Sequence, residues 1–318
     1  MSSPTTYSVY VKSITHEAEQ VLAFDLRPTE GVELPRFTAG AHIDVIIEGM
    51  PIRSYSLLNS ADEANRYVIA VAKDPQSRGG SRFLHEQLRC GAKIQVGAPR
   101  NLFPLEEDAR ETILVAGGIG ITPLWSMAQR LESLGRTWKL YYFAREAKFA
   151  SLLEHIRTAD QCNVELLYGL PPEKTVEKLN DIFAEDAQGR HYYCCGPTGM
   201  LEAYKAAATS VESERVHFES FVPTHEMSTE GGYEVCLSKS GKTFTVEAGQ
   251  SLLDAILSSG VDVMNSCREG ICGACEVQVF EGEPDHRDSI LSDSERAAGK
   301  SMFVCCSGSK SPRLVLDL

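Results

Sequence analysis

The sequence has 318 residues, of which 43% are hydrophobic and 24% charged, and its formal net charge is −13. These values describe a globular chain of two or three domains, and no apolar run reaches the roughly 18 residues of a membrane-spanning helix. The acidic balance argues against nucleic-acid binding, which requires a basic surface. The N-terminal residues show no secretion signal, so we expect a cytoplasmic protein that binds neither membranes nor nucleic acid.

The first hundred residues predict a small antiparallel β-barrel. Short β-rich segments alternate there with turns that contain Gly, Pro, Asp and Asn. The six predicted strands are 7–11, 21–26, 41–47, 53–57, 67–72 and 93–96. Residues 81–89 have helical periodicity instead. We assign this domain to residues 1–104.

Two short motifs in the predicted barrel form a candidate anion site. Arg-Ser-Tyr-Ser occupies residues 53–56, and Arg-Gly-Gly-Ser occupies residues 78–81 at the start of the predicted helix. Free N–H groups and the helix dipole favour a phosphate there, on Gly80 and Ser81. Arg53 would add a charge-assisted hydrogen bond. Each motif alone also fits an ordinary solvated strand or loop.

From residue 111 the pattern changes to alternating strands and helices, which predicts a parallel sheet. The predicted strands are 112–116, 139–144, 164–168, 191–195 and 216–221, and a helix is predicted at 123–134. We assign this α/β domain to residues 105–222.

Two motifs in the α/β domain follow predicted strands, where open α/β sheets bind their ligands. A glycine-rich turn between the first strand and helix is the usual site of a dinucleotide pyrophosphate. Tight packing alone would also explain the turn. The candidate residues are Gly117, Gly118, Gly120, Thr122 and Pro123 in the turn, and Cys195, Gly196 and Pro197 in the later motif.

The last part of the chain predicts a small α+β domain at residues 233–318. A polar segment with Pro and Gly, residues 223–232, precedes it and is predicted to be a linker. The pattern then indicates a hairpin at 233–246, a helix at 251–259 and a strand at 276–280. A short helix at 293–298, a strand that carries Cys305 and a strand at 314–318 complete it.

Four cysteines in this domain have the spacing of a [2Fe-2S] site. Cys267, Cys272 and Cys275 are spaced Cys-x4-Cys-x2-Cys, and Cys305 follows after 29 residues. Zinc is the alternative, but structural zinc sites usually take cysteines in closely spaced pairs. Because neighbouring side chains of a strand point to opposite faces, only one of Cys305 and Cys306 can face a cluster.

The cysteine pattern resembles that of plant-type ferredoxins with a β-grasp fold, in which the last gap also has 29 residues. That resemblance selects Cys305 and leaves Cys306 as a small buried residue. The earlier motifs resemble the ferredoxin–NADP reductase superfamily. The resemblance implies that Arg53 meets the flavin phosphate, Tyr55 covers the isoalloxazine and Ser56 lies near the reactive N5 atom.

In the same superfamily the cysteine that matches Cys195 lies beside the nicotinamide, and an aromatic residue near Phe221 can cover the flavin. For Cys195 a merely packed strand end remains the alternative, and for Phe221 a hinge or core position. NADH is expected rather than NADPH, although Arg145 after the second strand of the sheet could meet a 2′-phosphate.

The order of flavin, nicotinamide and ferredoxin domains over the whole chain resembles the phthalate dioxygenase reductase family, which includes the vanillate O-demethylase reductases. The resemblance implies an enzyme that passes electrons from NADH through FMN to a [2Fe-2S] cluster. The expected acceptor is a Rieske-type terminal oxygenase for an aromatic acid, an aryl ether or a similar small molecule, and the expected isolated state is a monomer. The alternatives are a diiron monooxygenase or another one-electron acceptor, and, in another class, a zinc-stabilised interaction protein.

Overall fold

The computed structural model describes residues 5–75, 79–158 and 163–318. Its two compact units are Thr5–Phe221 and Val222–Leu318. Arg78, part of the predicted anion motif, lies outside the described residues. Among the helices of these ranges, none combines the length and the apolar character that a bilayer crossing demands.

Six antiparallel strands form the first sheet, and all six were predicted. They are β1 Thr6–Ala18, β2 Val21–Pro28, β3 His42–Ile46, β4 Arg53–Ser56, β5 Tyr67–Ala72 and β6 Lys93–Gly97. Their order is β4-β3-β6-β1-β2-β5. A bridge between Leu57 and Ile69 joins the two edges, and Leu58 N–H donates to Val68 O at 2.9 Å, so the sheet closes into a barrel.

The barrel is filled by alternate residues of its strands, since successive side chains of a strand point to opposite faces. Val9 and Val11 of β1 and Phe24 and Leu26 of β2 are completely buried. Helix α1, Gly80–Glu86, begins one residue before the predicted start and ends three residues before the predicted end.

The second sheet of the same unit has five strands, all parallel. They are β7 Glu111–Gly117, β8 Thr137–Ala144, β9 Val164–Tyr168, β10 Arg190–Cys195 and β11 Val216–Glu219. The order is β11-β10-β7-β8-β9, so the carboxyl ends of β7 and β10 are neighbours. The α-helices that follow the strands are α2 Ile121–Ser133, α3 Leu153–Thr158, α4 Pro172–Ala184 and α5 Thr198–Ala207. This is the predicted α/β architecture.

Helix α2 belongs to the cores of both the barrel and the parallel sheet. Leu124 and Met127 of α2 lie in one buried cluster with Leu58 of the barrel and Leu114 of β7. Ser126 Oγ donates to the carbonyl oxygen of Asn59 at 3.1 Å. Because one helix packs against both parts, the barrel and the parallel sheet form a single compact unit.

The second unit contains a mixed five-stranded sheet and a two-stranded sheet. Its strands are β12 Tyr233–Leu237, β13 Lys242–Val246, β14 Glu276–Glu281, β15 Pro284–Asp285, β16 Ser301–Phe303, β17 Gly308–Ser309 and β18 Arg313–Leu316. Its helices are α6 Leu252–Ser258 and α7 Asp293–Ala298. The sheets have the orders β13-β12-β18-β14-β16 and β15-β17, and β12 pairs in parallel with β18. The predicted α+β class is confirmed.

The prediction that Cys305 lies on a strand is wrong. Strand β16 ends at Phe303, and residues 304–306 form a turn in which Ser307 N–H donates to Phe303 O at 3.1 Å. The apolar run that suggested a strand is buried because the turn itself lies in the core of this unit. Because the two residues lie in a turn, the side chains of Cys305 and Cys306 need not point to opposite faces.

The segment that was predicted to be a linker packs against the second unit. Ser228 N–H donates to Cys306 O at 2.8 Å, and the amide of Gly249 donates to Thr229 O at 2.9 Å. Ser228 is buried, and a Cβ at Gly308 would lie 2.3 Å from its Oγ. Residues 222–232 are irregular but fixed by these contacts.

Candidate functional site

The two glycine-bearing motifs of the parallel sheet are in direct contact. A Cβ atom at Gly120 would lie 2.2 Å from the carbonyl oxygen of Cys195. A Cβ at Gly117 would lie 2.6 Å from Met200 Sδ and 2.7 Å from Pro197 Cδ. Side chains are excluded at both positions, so glycine permits the close approach of backbones that are about 75 residues apart in the chain.

Two helices begin at this contact. Residues 118–120 form a short 3-10 helix that leads into α2, and α5 begins at Thr198 after Pro197. Helix N-termini present free N–H groups and a positive dipole end, which suit a pyrophosphate. Helix α2 starts two residues before the predicted Pro123, which is tolerated because the first turn needs no N–H from it. Thr122 is buried and donates to Ile119 O at 3.0 Å.

Gly118 and Gly196 complete the two motifs in different ways. Gly118 has a positive φ of 55° with open space at its Cβ position, so its backbone conformation alone favours glycine. Gly196 lies against Gly117, whose Cα would be 3.1 Å from an added Cβ. The structure therefore brings all the predicted residues of the two motifs to one edge of the sheet.

Cys195 ends β10 with only 1% of its surface exposed. Burial, and then the neighbouring Glu219 and Cys194, raise the pKa of its thiol well above the ordinary value. The thiol is therefore neutral and does not act as a thiolate nucleophile. A small neutral side chain at this edge suits a position beside a flat ring.

Glu219 is a candidate functional residue that the sequence reasoning missed. It pairs with Cys195 across β10 and β11, at the carboxyl end of the sheet. Its Oε2 atom is completely buried and has no hydrogen-bond partner among the described residues. Burial raises the pKa of Glu219 to about 8. The only signal in the sequence was a single carboxyl group within the predicted strand 216–221.

The candidate flavin residues lie on β4 and at the start of α1. The Arg53 side chain lies over Gly80, where an added Cβ would be 3.0 Å from Arg53 Cγ. Arg53 and Tyr55 share one face of β4 by strand alternation, and both are half-buried. The structure therefore groups a guanidinium, a phenol ring and the N-terminus of a short helix, as a flavin phosphate site would require.

Ser56, Ser81 and Phe221 occupy less telling positions. Ser56 is buried and falls on the opposite face of β4 from Tyr55. Ser81 Oγ accepts a hydrogen bond from Asp74 N–H at 3.2 Å. Phe221 follows β11 and is 37% exposed, so it is not a core residue, and its predicted role toward the flavin stays a prediction.

Burial also affects the Tyr55 phenol. It raises the pKa of Tyr55 to about 12, and the nearby Arg53 opposes that shift only in part. The ring is therefore a neutral phenol throughout the physiological range. A neutral aromatic face suits stacking on a planar ring system.

The four predicted cluster ligands are buried and are arranged two by two. Cys267 N–H donates to Cys272 Sγ at 3.5 Å, and the Cys267 and Cys272 thiols interact with each other. The Cys275 thiol interacts in the same way with the Cys305 thiol. In the described part of the chain, no group of three or more Cys, His, Asp or Glu is placed to hold a single metal ion.

This two-by-two arrangement fits a [2Fe-2S] core, in which each iron takes two cysteines, better than a four-cysteine zinc site. Glu269 N–H also donates to Cys267 Sγ at 3.3 Å. Such N–H donors stabilise the negative charge of cluster sulfurs. Interaction with the Cys275 and Cys306 thiols, aided by the Gly270 backbone, lowers the pKa of Cys305.

Cys306 occupies a different position from Cys305. Its Sγ lies 3.6 Å from Phe303 O and 3.8 Å from Ser307 Oγ. A Cβ at Gly270, in the loop between Cys267 and Cys272, would lie 2.5 Å from that Sγ atom. Cys306 therefore packs against the outside of the loop, whereas the Cys305 thiol interacts with that of Cys275. The assignment of Cys305 as the fourth ligand stays a prediction.

Comparison with known proteins adds independent findings. Residues 236–309 match the model of the 2Fe-2S iron-sulfur cluster binding domain. The chain is 48% identical to the phenoxybenzoate dioxygenase subunit beta of Ectopseudomonas oleovorans, over 98% of this chain and 97% of that protein. It is 46% identical to the tetrachlorobenzoquinone reductase of Sphingobium chlorophenolicum over the full length of both.

A solved structure agrees over the same length. Phthalate dioxygenase reductase, described as a modular structure for electron transfer from pyridine nucleotides to [2Fe-2S], superposes with a TM-score of 0.73 at 36% identity. The match covers 98% of each chain. Barrel, parallel sheet and ferredoxin-like unit therefore occur in the same order in both chains.

Proposed function

This chain belongs to the phthalate dioxygenase reductase family, and from that membership we propose that its electron acceptor is a Rieske-type terminal oxygenase. The chain is an NADH-dependent oxidoreductase, and its cofactors are FMN and a [2Fe-2S] cluster. It acts as the reductase component of an oxygenase system. The proposed substrate of that oxygenase is an aromatic acid, an aryl ether or a similar small molecule.

Two structural observations support the proposal. Four buried cysteines form two thiol pairs in one unit, and two motifs in the other unit leave no room for side chains where their backbones meet. The first arrangement suits a one-electron carrier, and the second suits a dinucleotide. A chain with both arrangements has a site for the electron donor and a carrier for single electrons, as a reductase requires.

The residues of this chain supply binding and orientation. A bound flavin accepts two electrons from a nicotinamide as hydride and passes them on singly. We assign the pyrophosphate to the N–H groups at residues 117–120 and the nicotinamide to the edge at Cys195 and Glu219. The flavin phosphate is assigned to Arg53 and Gly80. The buried Cys195 and the partly buried Glu219 border this edge of the sheet.

The first experiment replaces one cluster ligand. Cys272→Ser should abolish cytochrome c reduction through the cluster and leave NADH-dependent flavin reduction in place. Cys236→Ser is the matched control, because this partly buried cysteine lies on β12 and is not a predicted ligand. If Cys272→Ser abolishes both activities, the assignment of separate cofactors to the two units fails.

A second experiment tests the flavin site. Arg53→Ala should weaken flavin retention, because it removes the guanidinium over Gly80. Arg27→Ala is a matched barrel control, since Arg27 pairs with Asp25 on β2. Unchanged flavin content in Arg53→Ala would remove Arg53 from the phosphate site.

A second candidate acceptor follows from the relative that is named a tetrachlorobenzoquinone reductase. A quinone, or a diiron monooxygenase, would draw on the same electron path. Reduced protein should be mixed with a Rieske oxygenase, a diiron hydroxylase and tetrachlorobenzoquinone in turn, with the oxidation of NADH followed. Fast, saturable reduction of the Rieske centre supports the proposal, and reduction of the quinone alone favours the second candidate.

A further inference from the structure

A second group of polar residues lies behind the predicted cluster loop. It consists of His286, Asp288 and Arg296, of which Asp288 is completely buried and the other two are partly buried. Asp288 Oδ2 accepts from the backbone N–H groups of Ile290 at 3.0 Å and Leu291 at 2.8 Å. The same oxygen lies 3.5 Å from Arg296 Nη2. One oxygen of the carboxylate is thus well satisfied.

The other half of the group is not satisfied. Asp288 Oδ1 and both ring nitrogens of His286 are buried and make no hydrogen bond of ordinary geometry among the described residues, although the His286 ring also interacts with the Arg296 backbone. His286 Nδ1 and Asp288 Oδ1 are 3.9 Å apart, which is beyond hydrogen-bond distance. Buried polar groups in folded proteins are nearly always hydrogen-bonded, so unsatisfied groups at one place require an explanation.

The group is tied to the cluster loop by backbone contacts. Ser289 N–H donates to Gly270 O at 2.9 Å, and Arg287 N–H donates to Ser307 Oγ at 3.2 Å. The Asp288 Cα atom lies 3.0 Å from the Cβ position of Gly270. Residues 286–289 therefore pack directly on the loop that carries Cys267 and Cys272.

Burial and the neighbouring charges act in opposite directions on the pKa of His286, and their net effect lowers it. Burial lowers its pKa, and the positive charges of Arg296 and Lys310 act in the same direction. Asp288 and the backbone of Arg296 oppose them and favour the imidazolium. An added negative charge in the adjacent loop would act in the same sense as Asp288.

We propose that His286 takes up one proton when the cluster takes up one electron. The electron enters the [2Fe-2S] core, the proton passes from solvent to a ring nitrogen of His286, and the imidazolium then pairs with Asp288 Oδ1. The negative charge that the cluster gains equals the positive charge that His286 gains. This inference rests on the proposed function only in requiring a [2Fe-2S] cluster at the four cysteines.

The consequence is a reduction potential that depends on pH. A one-electron step coupled to one proton changes by about 59 mV for each tenfold change in proton concentration. The slope should appear between the His286 pKa values of the oxidised and the reduced protein, with the potential higher at low pH. Outside that window the potential should be constant.

The test is an anaerobic redox titration of the cluster in the full-length protein, followed by electron paramagnetic resonance from about pH 5.5 to about pH 9. In wild type the reduction potential should fall with rising pH over a limited pH range, and in His286→Gln it should be constant. His225→Gln replaces an exposed histidine of the same unit and should behave like wild type. A constant potential in wild type, or a slope retained by His286→Gln, would overturn the proposal.

A second variant covers the case in which His286→Gln loses the cluster. Asp288→Asn keeps a side-chain oxygen for the two backbone N–H groups and removes the charge that favours the imidazolium. The pH range in which its potential varies should move to lower pH, and an unchanged range would count against the proposal. Absence of any iron–sulfur signal in wild type would instead refute the cluster, and with it the proposed function.

Discussion

The carbonyl oxygen of Cys195 lies 2.2 Å from the point that a Cβ atom of residue 120 would occupy. The obstacle is backbone, which cannot rotate away as a flexible side chain can. Because residue 120 has no side chain, the turn after β7 can approach the end of β10 this closely. The candidate nicotinamide site depends on that distance.

Gly120→Ala should therefore damage hydride transfer from NADH to the flavin. The added methyl must push β10 and the turn apart, and a displacement of about 1 Å at a reacting edge can cost about a hundredfold in rate. Stopped-flow reduction of the flavin by NADH measures it. Gly135→Ala, outside the assigned pyrophosphate site, is the control, since open space surrounds its Cβ position and only its φ of 64° is unfavourable. Equal rates in the two variants would contradict the contact.

Gly270→Ala should lower the cluster content of the purified protein. Its φ of 69° already costs an alanine about 1 kcal/mol, and the methyl would also lie 2.5 Å from Cys306 Sγ. Gly249→Ala has the same kind of φ, 86°, with nothing within 4 Å, so it isolates the backbone cost. Iron and sulfide analysis should show a clear deficit for Gly270→Ala alone.

Cys305→Ser and Cys306→Ser should have opposite outcomes. The first removes the thiol that pairs with Cys275, so the visible iron–sulfur absorption should be lost. The second changes a packed thiol near Phe303 O, so the cluster should be retained with a modest loss of stability. Loss of the absorption in Cys306→Ser, together with its retention in Cys305→Ser, would reverse the ligand assignment.

Glu219→Gln should change how stability depends on pH. The folded protein holds this carboxyl protonated up to pH about 8, whereas the unfolded chain releases the proton near the ordinary value for glutamate. Because the folded pKa is raised, the favourable contribution is complete below the unfolded pKa and is lost as pH rises through about 8. Thermal unfolding should show little difference from wild type at pH 5 and a relative gain for Glu219→Gln at pH 9.

The same variant tests the reacting edge. If the Glu219 carboxyl borders the nicotinamide, the rate of flavin reduction in wild type should change near pH 8, where the carboxyl ionises. Glu219→Gln should remove that inflection. A persistent inflection would assign it to another group.

Much of the fold follows from local pattern. Alternation within β1 to β6 and the long apolar run of β7 predict their strands because each reflects the burial of one or both faces of a strand. The cysteine spacing predicts the ligand loop because covalent reach limits which thiols can share a cluster. Neither inference needs contacts between distant residues.

The rest depends on contacts that one sequence does not display. Ser126 and Asn59 are hydrogen-bonded across 67 positions, and nothing local to either residue indicates that the barrel and the sheet share a core. Glu219 escaped notice because a single carboxyl in a four-residue strand forms no pattern. The turn at 304–306 resembled a strand because burial in a turn and burial in a strand select the same apolar residues.

The hydrogen bond from Ser228 to Cys306 decides where the chain can be divided for protein engineering. A ferredoxin module excised at Tyr233 would lose residues 222–232, including Ser228, which donates a hydrogen bond to Cys306 O. The turn at 304–306 would then be more exposed to solvent. Exchange of electron-transfer modules between reductases should therefore join the chains ahead of Val222. Recombination at that point keeps residues 222–232 in the same module as the cluster loop.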